Sequence, residues 1–264
     1  MNILDKIANH TMERVNIQKK NLSLEEIMEM TCSDTENDFR FERALRLDDI
    51  AFICEIKRAS PSKGVIAENF PYIDIAKDYE IAGAAAISVL TEPLWFKGDD
   101  RYLREIADTV KIPLLRKDFT VDSYMIYEAK LLGASAVLLI CAILDSDTLA
   151  EYINVAHSIG LSALVEVHNE EEIDMALSAG ARVIGVNNRN LKTFEVDVSL
   201  SERLRKLVPP NVIFVSESGI NSPDDIAKLR RVGADAVLIG ESIMRRTDKK
   251  AEINRLRGYE CGKN

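Results

Sequence analysis

LGASAVLLI (132–140) recurs in outline four more times: AGAAAISVL (82–90), IGLSALVEV (159–167), AGARVIGVN (179–187) and VGADAVLIG (232–240). Each copy places Gly second, then a small or polar pair, then an apolar run of strand length. The Gly suits the left-handed residue that ends a helix. The run that follows shows no polar alternation, as expected of a parallel strand covered on both faces. Amphipathic stretches lie between the copies, among them DSDTLAEYINVAHSIG (145–160) and NSPDDIAKLRRVG (221–233). In the second, Ser222 is placed as N-cap, Pro223 as first helical residue and Asp225 in the first turn.

Three further runs, AFICEI (51–56), IPLLRK (112–117) and NVIFVSE (211–217), bring the strands to eight. Eight β-then-α units in about 210 residues predict a (β/α)8 TIM barrel of the α/β class. An open doubly wound sheet would carry a Gly-rich nucleotide turn after its first strand. KRASPSKG, which follows the first strand here, is not one. GARVIG (180–185) has P-loop glycine spacing but no Lys-Ser/Thr after it, so it reads as helix end and strand. Residues 1–50 precede the barrel as a helical extension, read as two helices, the second opening at Ser23 with Glu26 in capping-box register. A bare barrel has no need of them, so they plug its bottom or cover the substrate side. The whole chain, 1–264, reads as one barrel domain with that extension.

Several strands end on groups that are costly to bury unpaired: ICEIKRASPSKG (53–64), LLRKDF (114–119), ALVEVH (163–168), VIGVNNRNL (183–191), IFVSESGI (213–220) and AVLIGES (236–242). Side chains two apart on a strand share a face. If Phe52, Cys54 and Ile56 pack on the helices, Glu55 and Lys57 point into the barrel mouth. The same parity turns Lys117, Glu166, Asn187 and Glu217 inward. An internal salt-bridge network is the competing reading, but such networks stabilise poorly against apolar packing. A cleft of perturbed acid–base groups accounts for them better.

The seventh and eighth strands end in Ser218-Gly219 and Gly240-Glu241-Ser242. Paired glycine turns at these two strand ends suit a phosphate held by backbone N–H groups. Ordinary tight turns explain either one alone; the pair is more specific. Lys57, Arg58, Lys63, Lys117 and Arg189 gather on this rim; each taken alone also suits a solvated surface charge, and for Arg58 that is the better reading. A local positive patch on a chain of net charge −9 points to an anionic small-molecule substrate.

That overall charge argues against nucleic acid or an anionic membrane as main partner. No apolar run approaches ~20 residues, and the N-terminus lacks a signal-peptide core. Cys32, Cys54, Cys141 and Cys261 are scattered without a CxxC pair, which fits a reducing cytoplasm. The three histidines are too dispersed for a metal site. His10 and His157 read as surface groups on amphipathic helices, and His168 as either a rim residue or a catalytic one. Trp95 and Phe96 read as a wall for an aromatic substrate or as loop packing.

EIKRASPSKG, LRKDF, LVEVH, GVNNRNL, SESGI and LIGES, in this order and with FRFERAL (39–45) ahead of the first strand, resemble the indole-3-glycerol phosphate synthase family of tryptophan biosynthesis. The resemblance covers essentially the whole chain. It implies closure of the pyrrole ring of 1-(2-carboxyphenylamino)-1-deoxyribulose 5-phosphate with loss of carbon dioxide and water, without metal or organic cofactor. It assigns Lys117 as general acid on the ribulose carbonyl oxygen. Lys57 would hold substrate and assist loss of the hydroxyl, Glu166 would take a proton during dehydration, and Glu55 would orient the lysines. Asn187, Arg189 and Ser60 would position the anthranilate end. Ser218, Gly219, Gly240 and Glu241 would bind phosphate, and Phe96 and Phe119 would line the aromatic pocket. Asn188 and Asn190 replace the Ser and Asp common in the family's NSRDL-type motif, whereas Asn187 and Arg189 are retained. A lysine acid gains from a lowered pKa, which repulsion from Lys57 would supply and Glu55 and Glu217 would temper. A neighbouring barrel enzyme such as a phosphoribosylanthranilate isomerase would share the phosphate loops without needing two inward lysines and Glu166. A non-catalytic metabolite-binding barrel would be expected to lose Lys117 or Glu166 while keeping Gly219 and Gly240.

Overall fold

The computed structural model describes residues 3–31, 39–61, 63–190 and 193–258; Cys32 and Cys261 lie outside them. Eight parallel strands close on themselves: β1 Ala51–Ile56, β2 Ala86–Leu90, β3 Leu114–Lys117, β4 Ala136–Ile140, β5 Ser162–Val167, β6 Val183–Asn187, β7 Ile213–Glu217 and β8 Ala236–Ile239. Each pairs with its successor, and β1 joins β8 through Ala51 opposite Ala236 while meeting β2 through Ile53 opposite Ala86. The closed (β/α)8 barrel expected from the repeats is therefore present. β3 begins two residues later than the apolar run suggests, because Pro113 has no N–H to give the ladder.

Each repeated glycine ends a helix with left-handed backbone, φ 81° at Gly83, 84° at Gly133, 75° at Gly160, 85° at Gly180 and 79° at Gly233. The helix starts also follow local chemistry. Ser222 Oγ accepts from the Asp225 N–H at 3.2 Å while the Asp225 carboxylate accepts from the Ser222 N–H at 3.0 Å. This reciprocal cap satisfies donors that a helix start would otherwise leave open.

Two apolar cores result. One lies between strands and outer helices, and holds Phe52, Ile87, Leu139, Val165 and Phe214. The other fills the barrel with the opposite parity, including Ile53, Leu115, Leu164, Val183 and Val215. Cys54 and Cys141 are buried free thiols whose pKa burial pushes up to about 12, so they are packing groups rather than nucleophiles.

The extension contains three helices in the described residues, not the two expected: α1 Ile3–Gln18, α2 Leu24–Thr31 and α3 Arg40–Leu45. The third is too short for its periodicity to show in the sequence. The helices divide the two jobs that the sequence left open. Phe41 and Leu45 of α3 enter the barrel core, and Arg46 donates to the Asn211 carbonyl at 2.9 Å while Arg182 pairs with Glu42 at 2.8 Å. Asn211 and Arg182 precede β7 and β6, so α3 closes the bottom. Leu4 and Ile7 of α1 reach the same core from the mouth, where they line the cavity described below. α2 opens with the expected box, Glu26 N–H to Ser23 Oγ at 3.2 Å and Ser23 N–H to the Glu26 carboxylate at 2.8 Å.

Outside the barrel run α4 Tyr72–Ile81, α5 Asp100–Ala107, α6 Tyr124–Leu131, α7 Ser146–Ser158, α8 Glu170–Ser178, α9 Ser199–Leu204, α10 Pro223–Arg231, α11 Glu241–Met244 and α12 Lys249–Arg257. His157 of α7 is not the surface group expected. Its ring meets Phe39 edge-on at 5.7 Å, and burial together with Arg182 lowers its pKa to about 4. His10 of α1 likewise stands edge-on to Trp95, 5.4 Å between centroids, tying α1 to the loop after β2.

Candidate active site

At the C-terminal ends of the strands lies a cavity of about 960 Å³ lined by Glu55, Lys57, Ser60, Phe96, Lys117, Phe119, Glu166, Asn187, Arg189, Glu217, Ser218, Gly219, Gly240 and Glu241, whereas Arg58, Trp95 and His168 are not among its lining residues. Strand parity brings the lining residues together. The inward positions nearer the barrel bottom are mostly apolar and buried, among them Ile53, Leu115, Leu164, Val183 and Val215, so the polar residues that end the strands are the ones a ligand meets.

Lys117 occupies the centre. Its Nζ lies 3.1 Å from the Glu166 carboxylate and 3.5 Å from that of Glu217. Lys57 pairs with Glu55 beside it. The charge on Lys117 departs from the expectation of a lowered pKa. Burial does oppose the ammonium, but Glu166, Glu217 and Glu55 together outweigh it and hold the pKa above the ordinary lysine value. Lys57 cannot act by repulsion alone while Glu55 neutralises it. Lys117 is therefore held in its protonated form.

The two carboxylates around Lys117 are driven apart. Burial pushes Glu217 up, Lys117 opposes it, and Glu166 and Glu55 add to the rise, which reaches about 7. Glu166 is also buried, but Lys117, His168 and a hydrogen bond from Asn187 more than compensate and lower its pKa. Unequal pKa values in a carboxylate pair mark which one is ready to accept a proton, and here that is Glu166. The site also depends on two missing Cβ atoms. One added at Gly185 would sit 2.2 Å from the Glu217 carboxylate, and one at Gly240 would sit 2.6 Å from that of Glu55.

A raised pKa in the folded state has a measurable consequence. An unfolded glutamate titrates near ~4.3. Stability from protonated Glu217 is complete below that value and is lost as pH climbs through about 7. The melting temperature should therefore fall less between pH 5 and pH 8 in Glu217→Gln than in the parent chain. Equal falls in both would mean that Glu217 does not bind its proton on folding.

The loops set the two ends of the cavity. After β7, Ser218 and Gly219 both take left-handed backbone, φ 68° and 81°. A serine there is uncommon and marks a turn held by its surroundings. Part of the hold is visible: Asn188 donates to Ser216 Oγ at 3.0 Å and to the Ser218 carbonyl at 3.1 Å, and accepts from Ser201 N–H and Oγ. Asn188, one of the two residues that depart from the NSRDL-type pattern, is thus a buried hub beneath the turn. Ser242 Oγ reaches the Ile220 carbonyl at 3.4 Å and links the loops after β7 and β8. At the other end, Phe96 and Phe119 face each other at 6.2 Å. Phe96 is placed by the buried Glu92, whose carboxylate accepts from the N–H groups of Leu94, Trp95 and Phe96 at 2.8–3.0 Å. Asn187 accepts from the Arg189 N–H at 3.1 Å, and the Arg189 guanidinium donates to the Phe194 carbonyl at 3.3 Å.

Several residues that shape this site escaped the sequence reading. Asp118, between Lys117 and Phe119, is buried at the cavity wall and is held by Arg14 of α1 at 2.8 Å and Thr91 at 2.7 Å. Arg116 points outward yet is buried, pairing with Asp100 and Glu128 at 2.7 Å each and donating to the Met125 carbonyl. Burial opposes its charge, and those carboxylates with Asp118 overcome it. The alternating charges of RKD were the available signal, since a parity argument alone assigns the outward face to apolar groups. Arg245, Arg246 and Arg255 add positive charge to the rim near the two glycine loops.

A family model described as indole-3-glycerol phosphate synthase matches residues 4–256. Two relatives bear the same name. One, from Ruminiclostridium cellulolyticum, is 60% identical over 257 residues, covering 97% of this chain and 99% of the relative. The other, from Lachnoclostridium phytofermentans, is 48% identical over 268 residues, covering 97% and 98%. Among solved structures, 3-hexulose-6-phosphate synthase from Salmonella typhimurium superposes with a TM-score of 0.65 at 13% identity over 80% of this chain and 98% of its own. KGPDC from Streptococcus mutans does so with 0.63 at 11%, over 80% and 97%. At such identities the superpositions speak for the fold alone.

Proposed function

The chain belongs to the indole-3-glycerol phosphate synthase family and shares its function, and from that premise we propose how its residues divide the work. The observation that carries the assignment is the charge pattern around Lys117: one ammonium bracketed by Glu166 at 3.1 Å and Glu217 at 3.5 Å, with the Lys57–Glu55 pair beside it. The reaction is a carbon–carbon lyase reaction, a ring closure that releases carbon dioxide and water. Its carbonyl oxygen gains negative charge as the aromatic carbon attacks. Lys117 meets that charge as a proton donor that needs no prior uptake. Departure of carbon dioxide restores electron density to the ring system, and departure of the hydroxyl needs a donor on the leaving oxygen and a base for the remaining proton. Lys57 serves the first and the ionised Glu166 the second.

Binding falls to groups that take no part in proton movement. Ser218, Gly219, Gly240 and Glu241 hold the phosphate, the last two through backbone. Arg189, Asn187 and Ser60 hold the anthranilate carboxylate, and Phe96 and Phe119 cover its ring. Fixing both ends of a flexible sugar phosphate brings the reacting carbons together, a contribution that can rival the chemistry itself. A phosphoribosylanthranilate isomerase has no hydroxyl to expel as water, so it gives no reason for a second lysine at Lys57.

Purified protein given the carboxyphenylamino substrate should produce indole fluorescence in a single turnover, and an absence of that signal would overturn the assignment. The phosphate loops have their own test. In crystals soaked with sulfate, density is expected between Ser218-Gly219 and Gly240-Glu241. Density confined to the Arg245 and Arg246 edge of the rim would move the phosphate site there.

A further inference from the structure

Glu166 cannot keep the proton it takes. It must be ionised again before the next substrate reacts, and a bound substrate covers the open side of the cavity. The carboxylate is nearly sealed, its side chain 3% exposed. One of its oxygens faces Lys117 at 3.1 Å. The other faces Nε2 of His168 at 3.5 Å. That nitrogen is buried and makes no hydrogen bond among the described residues. His168 is more open than Glu166, as is Glu172 beyond it, each with a side chain 17% exposed.

The ring is held in one orientation. Glu172 accepts from the His168 backbone N–H at 2.7 Å and lies 3.1 Å from Nδ1. Glu172 is itself fixed at the start of α8, where Asn169 donates to its carboxylate at 3.0 Å and accepts from its N–H at 2.8 Å. An ionised carboxylate only accepts, so Nδ1 carries the hydrogen and Nε2 is the position left to gain or lose a proton.

We propose that His168 is a positioning and proton-relay residue that returns Glu166 to its ionised form by carrying its proton toward Glu172 and solvent. The inference rests on the role given to Glu166 above. After Glu166 has taken a proton from substrate, its O–H bond breaks as the lone pair of neutral His168 Nε2 forms an N–H bond. The imidazolium gives its Nδ1 proton to Glu172, which passes it to water. The Nε2–H tautomer left behind returns to the Nδ1–H form before the next turnover by losing Nε2–H to water and regaining a proton at Nδ1, so one proton in all reaches solvent. No electron changes hands. A small rotation of ring or carboxylate closes the 3.5 Å gap.

The surroundings favour a ring that can hold charge briefly. Glu166 of β5 and Glu172 of α8 face it, Glu217 of β7 acts from farther off, and Lys117 of β3 lies beyond Glu166. Cys141, after β4, donates to the Glu172 carbonyl at 3.7 Å and stays neutral. Burial disfavours the imidazolium, but the Glu172 bond and the charges of Glu166, Glu172 and Glu217 outweigh it and raise its pKa.

The test compares full-length His168→Gln and His168→Asn, both verified as folded by circular dichroism, from pH 6 to 9. Asn can keep the donor to Glu172, and neither variant can carry a proton. Both should lose about 10-fold in kcat, with KM changed by less than about twofold. Added imidazole should restore turnover in proportion to its concentration. It should do nothing for Glu166→Gln, which lacks the proton to be removed. Parental turnover across that range, or a loss confined to KM that His168→Asn repairs, would overturn the relay. If instead Glu166→Gln itself turns over normally, the role of Glu166 fails, whatever His168 does.

Discussion

Lys117→Met should lower the rate of ring closure by at least ~100-fold and leave the barrel folded. Lys117 ends β3 at the mouth, above the apolar inward residue Leu115, so Met keeps most of the length and loses the charge and the hydrogen bond to Glu166. The price of the change falls on Glu166 and Glu217, which lose the ammonium lying 3.1 and 3.5 Å away. The pair relieves the repulsion by taking up a proton, as buried carboxylates do when a cation is removed. That proton does not replace the missing acid. It sits on carboxylates flanking the site rather than at the position of the proposed acid. Circular dichroism and thermal melting report the fold, and single-turnover indole fluorescence reports the chemistry. Near-normal turnover in the folded variant would remove Lys117 from the mechanism.

The legible part of this protein is what periodicity and parity control. Glycine followed by an apolar run marks each helix-to-strand passage, because only a left-handed residue makes that turn cheaply. Two-residue alternation then fixes which polar end group enters the mouth, so Lys117, Glu166, Asn187 and Glu217 could be placed together from spacing alone. What parity cannot supply is distance between strands that are far apart in sequence. It put Lys57 and Lys117 in one cleft and suggested mutual repulsion. Lys57 pairs with Glu55, and Glu166, Glu217 and Glu55 outweigh burial at Lys117, so its pKa rises instead of falling.

The same limit explains the polar residues outside the mouth. Arg116 breaks the rule that the outward face is apolar, and its partners Asp100 and Glu128 come from two different helices. Arg14 meets Asp118 across 104 positions of sequence. No local pattern encodes such a meeting. Its effect is local, however, because Asp118 lies between the proposed acid Lys117 and the aromatic wall at Phe119. The packing of α1 and the placing of those two side chains are therefore linked through one ion pair.

Glu166→Gln separates the two halves of the reaction. Glu166 stands on β5, across the mouth from Lys57, and its ionised carboxylate can accept a proton but cannot donate one. The amide keeps the size of the side chain and an oxygen for Lys117 to donate to. The phosphate loops and Arg189 are untouched, so substrate should still bind. Turnover should fall by a factor on the order of 100 or more. If Glu166 acts late, as base in dehydration, ring closure and loss of carbon dioxide can proceed before the block. Carbon dioxide should then outrun indole formation in a single turnover, whereas Lys117→Met should suppress both together. Following the two products in parallel separates these outcomes. If Glu166→Gln only raises KM and leaves turnover unchanged, the carboxylate holds substrate rather than protons, and the order of steps assigned to this site is wrong.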